Sequence, residues 1–532
     1  MTVSHWQQKA AAKQADAAAK IPAEWRLPAD SILQQTVLDI PRTCGLLTPQ
    51  ELSITENYDA TALRDKLAAG EFSSFEVTVA FCKRAAIAQQ LTSCLTETMF
   101  PLALTRAKQL DDHLAKTGKP IGPLHGLPIS LKETFNVSGV PSSLGFVSFL
   151  DRPPVRDNSA LVDILLSAGA VLYVKTNVPQ TMMTADSENN VFGRVLNPHR
   201  RNLTAGGSSG GEGALVALRG SILGIGTDIA GSIRIPALCC GTFGFKPSVG
   251  RVPYGGQTSA GRAGMTGIAP AAGPLCHSAR DAELLLQVAF NAHADDLDDM
   301  AIGIPWNEPT PKPSLTIGVL PEDPRAPLHP SMRRTLATAV QKLAAAGHHI
   351  FDLSGKTPSL ADASDLSFRF FQIDPDQTQL KHIANGGEPH IKSLQFTYDL
   401  EGKGPEPTLR DLFDLNAARA ATTAATRRVY LDNQLDVIIG PGYQSCAVPH
   451  DSYGIPVYTV LANLVDYPAC TIPFGRANKE ADAEFSRDVS YNPPYVPEEV
   501  ENAPCHVQLI GRRMKDEMLM QHAKVVESVL AK

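Results

Sequence analysis

Two glycine-rich stretches stand out in the middle of this 532-residue sequence: AGGSSGGEG over residues 205–213 and GIGTDIAGSIRIP over residues 224–236. Glycine permits positive φ angles and a close approach between two backbones. Two such turns can expose a serine hydroxyl and direct several N–H groups into one small space. We therefore expect these residues to decide the fold and to carry the chemistry.

The first stretch has the spacing of a phosphate-binding loop, with Gly206 and Gly211 at its ends. Such a loop continues with a lysine, whereas here Glu212 follows, and a carboxylate would repel a phosphate. A dinucleotide-binding fingerprint fails as well, because Ser208 and Ser209 occupy the turn and no acidic residue follows a second strand at the expected place. The remaining alternative is a pair of inert structural turns.

Helix and strand patterns alternate around the glycine-rich residues. A capping-box spacing at residues 73–76 predicts a helix to about Gln90. Residues 127–131 indicate a short strand that ends at Lys132, and residues 160–174 and 315–351 repeat the alternation. This order predicts an α/β fold: one large domain with a central, mostly parallel or mixed, twisted sheet covered by helices on both faces. Residues 474–502 are expected to form a long loop before a final helix.

Composition favours small-molecule chemistry. The net charge of −7 gives no basic field for nucleic acid, and the nine cysteines include no C-x-x-C pair for a metal or redox site. The N-terminus lacks the basic start and apolar run of a secretory signal, and no apolar stretch reaches the ~20 residues of a membrane span. We expect a cytoplasmic protein without metal, cofactor, nucleic-acid partner or membrane span.

Three features occur in a fixed order: Lys132 after an apolar strand, then GGSSGG from Gly206, then GTDIAGSIR from Gly226. Together they resemble the amidase signature family. The resemblance extends to further segments of the chain: residues 122–128, 193–198 and 241–247. Trp6 and residues 21–28 and 466–469 are most similar to the fungal acetamidase, or general amidase, branch.

The resemblance implies the amidase signature fold and a Ser-Ser-Lys triad. It assigns Ser232 as the nucleophile, Ser208 as a bridging residue in a cis peptide, and Lys132 as the base, with Ser209 holding the loop. Residues 1–60 are expected to be a helical arm packed on a catalytic domain formed by residues 61–532.

A lysine can act as a base only when its amine is neutral. The reference pKa of lysine is about 10.4, so a neutral Lys132 at pH 7 needs a downward shift of roughly three units, which corresponds to about 4 to 5 kcal/mol. Burial is expected to provide most of this shift, because a low-dielectric environment disfavours the charged form.

The tetrahedral oxyanion is expected to meet backbone N–H groups of the turn that precedes the nucleophile, each worth on the order of 3 kcal/mol. The expected donors are Ile229, Ala230, Gly231 and Ser232, and Ser208 is expected to contact the oxyanion or the substrate as well. Ala230 stands where many relatives have glycine. Nearby side chains are interpreted as supports of this turn: Thr227, Asp228 and Arg234.

The predicted function is hydrolysis of a small carboxylic amide by a monomer or homodimer. The acyl pocket is expected to be lined by Met182, Met183 and the turn of residues 189–193 on one side and by residues 443–458 on the other. Alternatives are the amidase subunit of a tRNA-dependent amidotransferase and a catalytically silent scaffold of the same fold. A Ser-His-Asp esterase is disfavoured because no G-x-S-x-G elbow surrounds Ser232. His125 and the Cys239–Cys240 pair are interpreted as structural.

Overall fold

The structure, a computed structural model, describes residues 4–401, 404 and 406–532, apart from the side chain of residue 32. Its strands are β1 (Leu95–Thr98), β2 (Pro128–Lys132), β3 (Val171–Thr176), β4 (Glu188–Asn189), β5 (Gly193–Arg194), β6 (Leu223–Asp228), β7 (Phe243–Lys246), β8 (Ala271–Cys276), β9 (Thr316–Val319), β10 (His349–Asp352), β11 (Val437–Gly440), β12 (Ala469–Arg476) and β13 (Pro504–Ile510).

Its α-helices are α1 (His5–Ala19), α2 (Ile40–Thr43), α3 (Pro49–Glu56), α4 (Ala60–Ala68), α5 (Ser74–Thr92), α6 (Phe100–Thr117), α7 (Ala160–Ser167), α8 (Gly210–Ala217), α9 (Arg234–Cys240), α10 (Ala279–Phe290), α11 (Pro330–Ala345), α12 (Leu360–Phe371), α13 (Thr378–Gly386), α14 (Leu409–Asp432), α15 (Val460–Leu464), α16 (Lys479–Asp482), α17 (Pro497–Val500) and α18 (Asp516–Leu530).

Eleven of these strands form one sheet in the order β1-β3-β2-β6-β8-β7-β12-β13-β11-β9-β10. The pairings of β2 with β3 and β6 are parallel, whereas β6, β7 and β8 pair antiparallel, so the sheet is mixed. Every residue of β2, β3 and β6 is buried, which means that both faces of the sheet are covered there. The predicted fold class is confirmed.

Local sequence signals explain where the helices near the site begin and end. Ser73 and Glu76 form the predicted capping box at the start of α5, which ends where Ser93 adopts a left-handed conformation. The helix thus extends two residues beyond the predicted Gln90. These boundaries matter because α5 packs against β2 and β3, the strands that carry the buried lysines.

The interpretation of residues 474–502 as one long loop is wrong in part. Strand β12 continues to Arg476, and the short helices α16 and α17 follow. The sequence interpretation also missed β13, which lies in the sheet between β12 and β11. Its hydrophobic pattern is interrupted by two fully buried polar residues, His506 and Gln508. Gln508 contacts the active-site scaffold, so its polarity has a structural reason.

At the N-terminus, α1 packs against β1, and both Lys13 and Lys20 pair with the buried carboxylate of Glu97. The division of the chain at residue 60 stays a prediction. Among the described residues, no helix combines the length and the apolar character that crossing a membrane requires.

Candidate active site

Lys132 lies at the carboxyl end of β2 and is fully buried. Its Nζ donates hydrogen bonds to Ser208 Oγ and Thr227 Oγ1, both at 2.7 Å. Within the described part of the chain, no carboxylate forms an ion pair with this amine. Burial lowers the pKa of Lys132 to about 7. The structure thus places a buried lysine beside Ser208, and the catalytic roles of the two residues stay a prediction.

Ser208 is delivered by the turn that precedes α8. The peptide bond between Gly207 and Ser208 is cis, as the resemblance implies. A Cβ at Gly207 would lie 2.3 Å from the carbonyl oxygen of Thr184, so only glycine fits against that backbone. The first glycine-rich stretch therefore holds the Ser208 hydroxyl against Lys132.

Ser232 follows Gly231, whose φ of 131° is accessible mainly to glycine. It precedes α9 and keeps 8% of its surface exposed, whereas Lys132 keeps none. The backbone N–H of Ser209 donates to the carbonyl of Ser232 at 3.2 Å, and its hydroxyl contacts the backbone of Thr227. These contacts join the two glycine-rich stretches, as the predicted role of Ser209 requires.

The carboxylate of Asp228 organises the turn that contains Ser232. It accepts hydrogen bonds from the Gly231 N–H at 2.7 Å and the Ile233 N–H at 3.2 Å, and pairs with Arg234 Nε at 3.0 Å. The Gly231 N–H, one of the four predicted oxyanion donors, is thus engaged by Asp228. Burial alone raises the pKa of Asp228, but the Arg234 guanidinium outweighs this effect and holds it at about 2.

Arg234 is itself fully buried and fully bonded. It donates to Asn463 Oδ1 and Gln508 Oε1, both at 2.7 Å, and to the carbonyl of Thr459 at 2.8 Å. Asn463 also donates to Asp228 Oδ1 at 2.9 Å. The sequence interpretation missed these partners, although a polar residue inside an otherwise apolar segment, as in α15 and β13, is the signal that could have found them.

A model of the family described as Amidase matches residues 76–520. The chain belongs to the amidase signature family. It is 40% identical to an amidase of Gibberella moniliformis and 37% identical to an acetamidase of Emericella nidulans. These alignments cover 99% or more of this chain and 98% or more of each relative. A solved fatty acid amide hydrolase superposes with a TM-score of 0.92 at 32% identity, covering 99% of this chain and 96% of that one.

The prediction that tyrosines of residues 443–458 line the acyl pocket of this amidase-family hydrolase is not supported by their positions. Tyr443 and Tyr458 are fully buried, and their hydroxyls donate to the carbonyls of Tyr453 and Ala326 at 2.6 Å. They stabilise the core. Met182 is half-buried and packs against a separate apolar cluster that includes Phe146.

The histidine and cysteines that were weighed as other catalytic candidates occupy structural positions: His125, Cys239 and Cys240. Nδ1 of His125 accepts the backbone N–H of Ile121 at 3.1 Å. Cys239 and Cys240 are buried on α9, where burial raises the pKa of each thiol and disfavours the reactive thiolate. These residues do not form an alternative catalytic arrangement.

Proposed function

We propose that this chain hydrolyses a carboxylic amide through an acyl-enzyme on Ser232, with Ser208 as proton relay and Lys132 as base. The observation that carries the proposal is the environment of Lys132: a fully buried amine whose hydrogen-bond partners are the hydroxyls of Ser208 and Thr227. An amine so placed is held available as a proton acceptor.

The proposed steps conserve every proton. The Ser232 oxygen attacks the amide carbonyl as its proton moves to Ser208, while the Ser208 proton moves to Lys132. The tetrahedral intermediate then collapses: the C–N bond breaks, and the leaving nitrogen takes a proton back along the same path. Water repeats the sequence on the resulting ester, releasing the carboxylate and restoring Ser232. The contact between the Ser208 and Ser232 hydroxyls that this proton transfer needs is part of the proposal.

The pKa of Lys132 fits this role. A value of about 7, well below that of an ordinary lysine, makes the neutral amine accessible near neutral pH. The same value makes the ammonium form a competent acid for the leaving nitrogen, because a catalytic group works best with a pKa near the working pH. Thr227 accepts the second hydrogen bond of the amine and is a positioning residue in this scheme.

For the oxyanion, we assign the N–H groups of Ile229, Ala230 and Ser232. Gly231 provides the turn, because its own N–H is bonded to Asp228. Thr459 donates to the carbonyl of Ala230 at 2.6 Å, which fixes the orientation of the peptide unit between Ala230 and Gly231. Preorganised donors of this kind lower the barrier because they need no reorientation during the reaction.

The substrate class that we propose is a simple carboxylic amide that releases ammonia or a small amine. Relatives that align along their whole length are named acetamidase and amidase, which supports small amides. An amidotransferase subunit, which would pass ammonia to a partner, remains the alternative for the experiment to separate.

The test combines active-site labelling with turnover. The purified chain is treated with a fluorophosphonate probe, and ammonia release is assayed on a panel of simple amides with and without glutamine. We expect labelling at Ser232, loss of labelling in Ser232→Ala, and turnover of several amides by the chain alone. Strict dependence on glutamine and a partner would favour the amidotransferase, and absence of both labelling and turnover would contradict a catalytic role.

A further inference from the structure

A group of buried polar side chains lies close to Lys132, on the same side of the sheet. Glu212 Oε2 lies 2.6 Å from Ser130 Oγ, which lies 2.7 Å from Ser221 Oγ. The hydroxyl of Tyr173 lies 2.5 Å from the carbonyl oxygen of Gly220, the residue before Ser221. The side chains of Glu212, Ser130, Ser221 and Tyr173 are fully buried.

Counting hydrogens limits the directions of these hydrogen bonds. Ser130 lies within hydrogen-bond distance of both Glu212 and Ser221, but its hydroxyl has a single proton to donate. Donation to Ser221 uses that proton. Once the only proton of Ser130 is committed, the 2.6 Å contact with Glu212 needs a proton from the carboxyl group itself.

We propose that Glu212 is a neutral carboxylic acid that donates its proton to Ser130 and thereby spares Lys132 a second carboxylate charge beside that of Asp228. The proposal rests on the proposed function of Lys132 as the base. Glu212 does not contact the reacting atoms in this scheme, so it is a positioning residue that acts through Lys132.

The other contacts of Glu212 agree with an uncharged group. Oε1 accepts the hydroxyl of Thr176 at 2.9 Å, as a carbonyl oxygen of an acid would. Among the described residues, no lysine, arginine or histidine forms an ion pair with Glu212, and an unpaired buried charge is very unfavourable. A Cβ at Gly224 would lie 2.1 Å from Oε2, so the backbone of β6 closes over the carboxyl group.

The titratable groups that face Glu212 come from three elements: Lys132 on β2, Tyr173 on β3 and Cys94 before β1. Burial raises the pKa of Glu212 to about 8. An ionised Glu212 would attract the ammonium form of Lys132, as the Asp228 carboxylate does, and would raise the pKa of Lys132. A neutral Glu212 therefore lets Lys132 lose its proton near neutral pH.

Infrared spectroscopy on protein with carboxyl-labelled glutamate tests the proton directly, because a carboxylic acid and a carboxylate absorb at different frequencies. Glu212→Gln assigns the signal by its disappearance. We expect the acid band of Glu212 at pH 7. A carboxylate band at that pH would overturn the proposal, whatever the activity of the enzyme.

Ser130→Ala gives a second test in which the two models predict opposite signs. If Ser130 accepts the acid proton, its removal destabilises the neutral form and the midpoint of the Glu212 titration falls. If Ser130 instead donates to a carboxylate, the midpoint rises, which would overturn the proposal. The matched control is Ser364→Ala, which changes a buried serine on α12, away from Glu212 and its partners. It should leave the midpoint of the Glu212 titration unchanged.

The pH dependence of activity tests whether the protonation state of Glu212 affects Lys132. Glutamine resembles a neutral acid, so Glu212→Gln should leave the acid limb of the pH profile of kcat/KM within about 0.3 pH units of wild type. If Glu212 were ionised, removing its charge would shift that limb downward by about one unit or more. Failure of the proposed function would look different: the acid limb would be absent while the acid band of Glu212 persisted.

Discussion

Lys132 and Lys175 are both fully buried and lie on neighbouring parallel strands, yet they have opposite environments. Leu131 pairs with Lys175 and Lys132 pairs with Thr176, so the two amines point to opposite faces of the sheet. Lys175 Nζ lies 3.4 Å from the Glu133 carboxylate, whereas Lys132 has hydroxyl partners.

The difference shows that the partner, and not burial, decides what a buried lysine does. Burial lowers the pKa of both amines, and nearby carboxylates act in the opposite direction on both. Among the described residues, however, an ion pair links Glu133 to Lys175, whereas none involves Lys132. The carboxylate of Glu133 is further held by Thr96 and by the N–H of Ser143. Lys175 thus forms a structural ion pair, whereas Lys132 is the proton acceptor of the proposed mechanism.

The largest effect is expected for Lys132→Ala. Removing the base should lower kcat/KM for a simple amide by on the order of 10⁴-fold, as loss of one member of a catalytic triad does. Kinetics on a folded variant, checked by circular dichroism, provide the measurement. A variant that retains a rate within tenfold of wild type would refute the assignment.

Lys175→Met should instead reduce stability. It leaves the Glu133 charge buried without its cation, which destabilises by about 3–5 kcal/mol. Urea unfolding measures the loss, and kcat per folded molecule should stay near wild type. Adding Glu133→Gln should recover most of the stability. If Lys175→Met abolished catalysis in folded protein, the division of roles between the two lysines would be wrong.

The segments of the site could be located from sequence because each carries a local signal, and the resemblance to the amidase signature family brought them together as one site. Glycine density marks the turns around Ser208 and Ser232, and an apolar run ending in a lysine marks the end of β2. These signals depend on backbone sterics and on hydrophobic patterning, which a single sequence displays.

The rest depends on contacts that are distant in sequence. Asn463 and Gln508 lie more than 200 residues from Arg234, so no local pattern connects them. Glu212 was noticed only as a mismatch to a phosphate loop, because its partners Ser130 and Thr176 are brought to it by parallel pairing of distant strands. The strand β13, which contains the polar residues His506 and Gln508, was not predicted for the same reason.

Asn463→Ala probes the scaffold on the Lys132 side of the sheet. The substitution removes hydrogen bonds to both Asp228 and Arg234, so the turn that carries the proposed oxyanion donors should be held less rigidly. We expect kcat to fall about 10- to 100-fold with little change in KM, since such support acts through the transition state. Asn433→Ala at the end of α14 is the matched control. A change in KM alone would contradict a role in transition-state positioning.

The smallest effect is expected for the stability of Lys132→Met. At pH 7 its free energy of unfolding should lie within about 2 kcal/mol of wild type, because relief of the buried amine offsets the lost hydrogen bonds. The folded pKa lies below the unfolded value, so unfolding takes up protons between pH 7 and 10. Wild-type stability should therefore rise relative to the variant over that range. A flat difference would mean that Lys132 is not held neutral.

The most direct test of the central claim is the pH dependence of fluorophosphonate labelling of Ser232. If Lys132 is the base, the labelling rate should rise with a single ionisation near pH 7, following the neutral amine, and the rise should vanish in Lys132→Ala. A rate that is flat from about pH 5 to 9, or that rises only near the ordinary lysine pKa of about 10.4, would contradict the account.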